Sequence, residues 1–297
     1  MDRTGGVSHM VAAMVISGTI GVFVVGSGQS PLTVVLLRCL IGAAALLGWM
    51  VHSGGWRTVD LRAGAWITFG AAALIGNWLC LFAAFSLAGI SIATVVYHVQ
   101  PFILVLLAAL VQREPFEWRK LPWLLLAFAG VVFTTGIDAG GGQAGMAAGV
   151  MLALAAAFLY ALATLATRKL KAYAPAQIAG LQLALGALVL APLASIDGHA
   201  IGSGQWTCLV VIGLVHTGLV YKLMYGAFQH LRAEAIAGLS FIYPLVAMLA
   251  DYAVFDTRLG LWQWAGVGMI LLSLAGSQAR LFIRTRPDPS GCHGSSP

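Results

Sequence analysis

Charged residues are scarce in this sequence, and their scarcity excludes a soluble globular protein. Only 9% of the 297 residues are charged and 60% are hydrophobic, whereas soluble domains carry about 25% charged residues. We therefore predict an all-α integral membrane protein, because a helix satisfies its own backbone polar groups in lipid. The net charge of +6 does not indicate a nucleic-acid partner, since the basic residues lie in short connections between apolar segments.

Cysteine motifs and catalytic motifs are also missing. The four cysteines show no CxxC pattern and no Cys/His spacing, so no zinc site or disulfide framework is predicted, and no cofactor or metal is expected. The sequence has no HExxH, no facing carboxylate pair and no nucleophile with a positioned base, which disfavours an enzyme. A channel is disfavoured because the isolated polar residues fit a closed cavity better than a continuous polar pore.

Ten apolar segments are long enough to cross a bilayer, which needs about 20 residues per helix. We number them spans 1 to 10; they are 8–27, 31–51, 63–86, 91–111, 121–137, 146–167, 175–195, 206–228, 235–255 and 260–281. The N-terminal sequence MDRTGGVSHM leads into span 1 without an A-x-A cleavage site. We therefore expect a retained span and not a removed signal peptide.

The basic residues predict both the number of spans and their orientation. Of the 16, 13 fall in connections that share one side of the membrane if the chain crosses it ten times, and only Arg258 falls on the other side. The 13 are Arg3, Arg57, Arg62, Arg113, Arg119, Lys120, Arg168, Lys169, Lys171, Arg232, Arg280, Arg284 and Arg286. Because basic connections stay in the cytoplasm, both termini are predicted to be cytoplasmic, with a disordered tail at 287–297.

The two halves of the chain resemble each other at an offset of 143 residues. WLCLFAAFSLAGISIATVVYHVQP then faces YKLMYGAFQHLRAEAIAGLSFIYP, which pairs Trp78 with Tyr221 and Pro101 with Pro244. We predict two five-helix repeats, and because five is odd the second is inverted relative to the first. The predicted repeats are residues 1–140 and 145–286. Inverted repeats are typical of secondary transporters, whose substrate site lies near the midplane.

Three stretches resemble spans of a known family, the EamA-type drug/metabolite transporters. They are SPLTVVLLRCLIGAAALL (30–47), VQPFILVLLAALVQREPF (99–116) and LRAEAIAGLSFIYPLVAMLADYAVF (231–255). The resemblance runs from about residue 8 to 282. It implies a ten-helix exporter of small metabolites in a bacterial inner membrane.

Within that family the chain is most similar to the aromatic amino-acid exporters, in which aromatic residues of spans 3, 4 and 6 line a central cavity. The resemblance implies that the matching residues here are Asn77 or Trp78, His98, Gln100 and Tyr160. At two cavity positions where the family has Trp, this chain has Gln100 and Tyr160. This departure affects the expected substrate and not the expected fold.

Spans 4 and 9 each carry a proline at mid-length, with polar and aromatic residues beside it. The matching faces are Tyr97, Gln100 and Pro101 in span 4, and Ser240, Tyr243 and Pro244 in span 9. Each proline leaves a backbone carbonyl without its helical donor, which is costly in lipid. We predict that this face lines a polar cavity; the alternative is a pair of packing kinks.

His98 lies one step round span 4, opposite Phe241 of span 9. Three roles for it stay open: a substrate contact, a hydrogen bond between helices, or proton handling.

Two basic residues lie within spans. Arg38, whose counterpart in the second repeat is Gln182, costs about 2.5–3.5 kcal/mol at mid-membrane on insertion scales. It either bonds to free backbone carbonyls or meets a carboxylate of the substrate. Lys222 either binds an anionic group or extends towards the cytoplasm.

No Asp or Glu lies near the centre of any span. Related small multidrug exporters couple drug cations to protons through a Glu in their first span, so cationic substrates and carboxylate-driven proton exchange are disfavoured. We predict an alternating-access exporter of small amphipathic metabolites, amino acids including aromatic ones, that acts as a monomer in the inner membrane. The alternative is an organic-anion or sugar-phosphate antiporter that uses Arg38 and Lys222.

Overall fold

Ten helical spans lie where the sequence predicts them. The computed structural model describes residues 3–88, 90–115, 117–135, 145–193, 201–255 and 260–283. In order, the spans are Arg3–Gly18 with Ile20–Ser27, Pro31–His52, Leu61–Ala88, Ile90–Tyr97 with Gln100–Gln112, Leu121–Thr135, Met146–Lys169, Pro175–Leu190, Ser203–Gly213 with Leu214–Leu219 and Val220–His230, Ala233–Ser240 with Ile242–Phe255, and Leu261–Ile283. Seven of the described helices are long and apolar enough to cross a membrane. The predicted all-α membrane fold of two repeats is confirmed, whereas Arg258 and the tail 287–297 lie outside the described residues.

Spans 2 and 7 begin at prolines. Pro31 and Pro175 each stand at the first helical position, where the missing N–H is not needed and the fixed φ suits a helix. The Ser30 hydroxyl also accepts a hydrogen bond of 3.3 Å from the backbone N–H of Thr33, a serine cap of the usual kind. Local chemistry therefore sets the start of both spans.

The central prolines divide spans 4 and 9 into two helices each. One helix ends at Tyr97 and the next begins at Gln100, and the second break lies between Ser240 and Ile242. The prolines thus fall in the first turn of a new helix, where they do not remove a needed hydrogen bond. At both prolines the structure therefore has a break between two helices and not a kink within one; that the broken faces line a cavity stays a prediction.

Spans 1 and 8 are also irregular, which the sequence did not predict. Span 1 breaks at Thr19, and residues Leu214–Leu219 of span 8 form a π-helix. The two irregularities touch, because the Thr19 hydroxyl oxygen lies 3.0 Å from Nε2 of His216. π-Helical turns occur frequently at functional sites.

The packing of the spans follows the repeat. Span 3 packs along span 6 just as span 8 packs along span 1, while spans 2 and 7, 4 and 9, and 5 and 10 meet across the axis that relates the halves. The close approaches repeat as well: Gly149 of span 6 abuts Ala88 of span 3, and Gly6 of span 1 abuts Leu231 after span 8. Gly6 and Gly149 are 143 residues apart, and so are Ala88 and Leu231.

Gly149→Ala is expected to lower the melting temperature of the purified protein. A Cβ at this position would lie 2.7 Å from the backbone nitrogen of Ala88, so spans 3 and 6 must move apart, at a cost of about 1–3 kcal/mol. Gly268→Ala in span 10 is the matched control, because its Cβ would meet nothing within 4 Å. A melting temperature that is equal in the two variants would contradict close helix packing at Gly149.

The connections rich in basic residues meet at one end of the bundle, which we call the basic end. The side chain of Gln177 exchanges hydrogen bonds with the backbone of Arg57, and Gln229 donates to the carbonyls of Leu170 and Tyr173. These contacts bring together the connections that follow spans 2, 6 and 8. Which membrane side this end faces stays a prediction from the positive charges.

Ion pairs at the basic end join the two repeats. Arg168 at the end of span 6 is buried and contacts Glu114, which follows span 4. Arg232 and Lys120 pair with Glu117 at 2.6 and 2.9 Å. The hydrogen bond from Lys120 lowers the pKa of the Glu117 carboxyl, so its stabilising contribution is present above the ordinary pKa of glutamate and is lost as the pH falls through the lowered value.

Candidate functional site

The breaks in spans 4 and 9 bring most of the predicted site residues into one cluster. We define this central cluster as Arg38, Asn77, Trp78, Tyr97, His98, Tyr160, Tyr221, Phe241 and Tyr243. Its ring centroids lie 6.2 Å apart for Trp78 and Tyr221, 6.2 Å for Tyr97 and Tyr160, and 6.3 Å for His98 and Tyr243. The cluster joins spans 2, 3, 4, 6, 8 and 9, so both repeats contribute to it.

His98 is held at the break of span 4 by its own backbone. Its Nδ1 lies 2.7 Å from the carbonyl oxygen of Thr94, and because a carbonyl only accepts, Nδ1 must carry the hydrogen. In the neutral imidazole Nε2 is then a bare acceptor. The ring is stacked on Tyr243 at an interplanar angle of 23° and lies 6.4 Å from Phe241. His98 therefore offers one hydrogen-bond acceptor between two aromatic side chains.

Asn77 connects three spans of the first half of the cluster. Its amide nitrogen donates to the carbonyl of Ala156 at 2.8 Å and to the hydroxyl of Tyr97 at 3.3 Å. The residue is only 1% exposed, so these bonds form away from bulk water and fix the Tyr97 hydroxyl in position. Tyr160, on the far side of Tyr97, donates to the sulfur of Met224 at 3.3 Å.

Arg38 lies on the aromatic face of the cluster without a counterion. Its Cζ stands 4.7 Å above the Trp78 ring, and its Nε donates to the Thr217 hydroxyl at 3.1 Å. Thr217 belongs to the π-helix and donates in turn to the carbonyl of Ile212. Within the described part of the chain, Arg38 has no carboxylate partner and its terminal nitrogens make no hydrogen bond. These nitrogens are available to an anionic group.

The remaining predicted residues of span 4 and span 9 are buried beside the cluster. Gln100 is 5% exposed, and Pro101 and Pro244 are buried. Most cluster residues are buried too, with Trp78 at 7% and His98 at 6%. Arg38, Tyr97, Tyr160 and Tyr243 are half-buried, so the cluster keeps some accessible surface in this conformation.

Lys222 lies away from the cluster, although the sequence grouped it with the site. Its Nζ stands 4.5 Å above the ring of Trp49, and it lines a separate cavity near the basic end. Trp49 follows Arg38 by eleven residues on span 2, which is about 16 Å at 1.5 Å per residue. One small anion would not contact both cations in this conformation.

Sequence reasoning missed a polar contact within the second repeat, between spans 7 and 8. Tyr225 of span 8 donates its hydroxyl hydrogen to the side-chain oxygen of Gln182 in span 7. The Gln182 nitrogen is buried and makes no hydrogen bond within the described residues, and it lies against Gly70 of span 3. Gln182 and Arg38, counterparts in the two repeats, thus both contact spans 3 and 8. The sequence signal that could have indicated this contact is that each of the two is a polar residue within an apolar run.

This arrangement, two repeats with a polar and aromatic site at broken helices, is the architecture of a secondary transporter. The EamA-like transporter family matches the chain twice, over residues 4–136 and 147–277. The chain therefore belongs to this family, within the drug/metabolite transporter superfamily, and it is a multi-pass membrane transporter and not an enzyme.

Relatives in other organisms agree with this assignment. The chain is 29% identical to the uncharacterized transporter YxxF of Bacillus subtilis (strain 168) over 285 residues, which cover 92% of this chain and 89% of that protein. It is 27% identical to the uncharacterized transporter PA0485 of Pseudomonas aeruginosa, over 84% of each. A crystal structure with 19% identity superposes with a TM-score of 0.84 over 96% of this chain and 100% of the other, which supports the fold alone.

Proposed function

We propose that the protein exports amino acids, including aromatic ones, by alternating access through the central cluster. The observation that carries the proposal is the guanidinium of Arg38, which lies on the Trp78 ring without a carboxylate partner among the described residues. Arg38 is half-buried within span 2, and a charge without a partner inside a membrane span is costly. A substrate carboxylate supplies that partner.

The other groups of the cluster suit the rest of an amino acid. The bare Nε2 of His98 accepts a hydrogen bond from the substrate's amino group, since its Nδ1 is already bonded to Thr94. The rings of Trp78, Tyr97 and Tyr160 provide apolar faces for the side chain, and aromatic pairs add about 0.5–1.5 kcal/mol beyond area burial. The absence of carboxylates near mid-depth in the sequence disfavours a purely cationic solute.

Transport by alternating access requires the cluster to open to each side in turn. The ion pair of Arg168 with Glu114 joins the repeats at the basic end, so opening at that end must separate it. The breaks in spans 4 and 9 let the two helices of each span tilt separately. We propose that this exchange takes place in a bacterial inner membrane, with a monomer whose termini are both cytoplasmic.

Efflux from proteoliposomes tests the substrate class. Vesicles loaded with labelled Phe, Trp or Thr are expected to lose label faster than protein-free vesicles. If no amino acid in a wide panel leaves faster, the proposed substrate class is wrong.

The alternative, an organic-anion or sugar-phosphate antiporter, makes a different prediction for Lys222. The separation between Lys222 and Arg38 argues against one anion held by both residues. Lys222→Met is therefore expected to keep amino-acid efflux, whereas the antiporter alternative predicts that it abolishes transport.

His98→Ala and Gln100→Ala are expected to slow efflux, because each removes a polar group beside the aromatic rings. His98→Ala should have the larger effect, since it also releases the Thr94 carbonyl and the stack on Tyr243. The measurement is the initial efflux rate at several substrate concentrations. Unchanged rates in both variants would mean that the prolines and their neighbours are packing features.

A further inference from the structure

A cavity of about 390 Å³ lies near the basic end, apart from the central cluster. Its lining comes from spans 1 and 8, the end of span 2 and the start of span 7. Three basic or titratable side chains line it, His9, Lys222 and His230, and no acidic side chain does. The rest of the lining is apolar for the most part, including Trp49, Met50, Ala174, Pro175 and Leu223. The cavity therefore suits a negatively charged group that is joined to an apolar body.

Two groups of this cavity, the Lys222 ammonium and Nδ1 of His9, lack hydrogen-bond partners among the described residues, whereas Nδ1 of His230 lies 2.8 Å from the carbonyl oxygen of Gly226. Among the residues that the structure describes, Lys222 makes no ion pair or hydrogen bond, and its Nζ lies over the Trp49 ring. Nδ1 of His9 is buried and has no hydrogen-bond partner among the described residues either. Each group is left to a ligand or to water.

The start of span 7 adds positive potential to the same place. Pro175 is its first residue and has no N–H, Gln177 donates its N–H to the carbonyl of Ala174, and no side chain caps the N–H of Ala176. Ala174 and Pro175 line the cavity. A helix N-terminus favours anions, and phosphate in particular.

The depth of the cavity matches the head-group region of a bilayer. Span 8 is 28 residues long, about 42 Å, and exceeds a hydrocarbon core of about 30 Å by roughly 6 Å at each end. Lys222 lies eight residues before His230, about 12 Å from the end of the span, and so about 6 Å inside the core. A lysine side chain reaches the interface from there, and Trp49, 56% exposed, is typical of that level.

We propose that this cavity binds the phosphate of an anionic phospholipid, with its acyl chains against the apolar walls that Trp49, Met50 and Leu223 form. Basic pockets between transmembrane helices bind such head groups on the cytoplasmic side, the side predicted for the basic end. Lys222 supplies the charge, His9 donates a hydrogen bond, and the start of span 7 completes the site. This site is independent of the transported solute.

The test compares thermal stability in two kinds of nanodisc, one of phosphatidylcholine and one that contains about a third phosphatidylglycerol. A lipid that binds the native state raises its melting temperature by mass action. We expect phosphatidylglycerol to raise the melting temperature of the wild type, of Lys222→Arg and of the exposed-residue control Lys169→Gln. Lys222→Gln should need about fivefold more phosphatidylglycerol for the same rise, since one lysine near an anionic surface contributes roughly that factor.

Two outcomes would overturn the proposal. One is an equal rise for Lys222→Gln and the wild type. The other is an equal rise when glycerol 3-phosphate is added to phosphatidylcholine nanodiscs, which would assign the site to a soluble phosphate ester. His9→Leu is measured in parallel and should show the same loss in smaller degree, so that the test stands even if Lys222→Gln does not fold.

Discussion

Arg168→Met is expected to destabilise the protein by about 3 kcal/mol or more, the usual cost of breaking a buried ion pair. The side chain of Arg168 is 5% exposed, and its guanidinium contacts Glu114, Gln112 and the carbonyl of Leu231. Methionine has a similar volume but leaves these three acceptors without their donor. Thermal unfolding of the purified protein in one detergent measures the effect.

Arg232→Met is the matched control at the same end of the molecule. Arg232 also pairs with a glutamate, Glu117, but the two side chains are 36% and 43% exposed, and the buried Glu234 that lies 3.6 Å from Arg232 keeps its other partner, Lys120, at 3.0 Å. Exposed pairs contribute about 0–1 kcal/mol, so this variant should unfold close to the wild type. The double variant Arg168→Met with Glu114→Gln should recover part of the loss, since the carboxylate that lost its partner is then neutral. Equal effects of the two arginine variants would contradict the importance of burial.

Arg38→Met is expected to weaken substrate binding about 10- to 100-fold, since a hydrogen bond to a charged group contributes about 1.5–3 kcal/mol. The loss should appear in the substrate concentration that gives half-maximal efflux. Arg57→Met is the control, because Arg57 also lies over an aromatic ring, Tyr173, but at the basic end and outside the cluster. It should leave efflux unchanged.

Arg38 also has structural contacts, and a third variant separates the two roles. Arg38→Lys keeps the charge but loses the Nε hydrogen bond to Thr217. If Arg38 binds a carboxylate, the lysine variant should restore part of the affinity that methionine loses. If the residue only supports the π-helix, both variants should lower the melting temperature and neither should change the affinity for substrate.

Much of the fold is predictable because single residues and their spacing determine it. Scarce charge sets the class, and the placement of basic residues sets the number of spans. Pro101 and Pro244 set the two central breaks, because a proline has no N–H to donate. The irregular turns at Thr19 and at Leu214–Leu219 have no such signal, since they depend on contacts between spans 1 and 8.

The candidate site is only partly predictable for the same reason. The helical face of span 4 follows from periodicity, and the structure places Tyr97 and His98 beside Tyr243. Lys222 is an example: its depth in span 8 follows from the sequence, but which side of the helix it faces depends on how the neighbouring spans pack. Thr217, the partner of Arg38, is an ordinary threonine in the sequence and gains its role from the π-helix.

The two glycine contacts that relate the repeats are unequal, and this inequality bears on how the molecule moves. At Gly149 an added Cβ would meet rigid backbone at 2.7 Å, whereas at Gly6 it would meet the flexible tip of Leu231 at 3.1 Å. Spans 3 and 6 therefore approach through their backbones, while spans 1 and 8 meet through a side chain and also carry both irregular turns. Because a side chain can change its rotamer more easily than a helix can shift its backbone, we expect the contact between spans 1 and 8 to rearrange first, so the two half-cycles of transport should differ in rate.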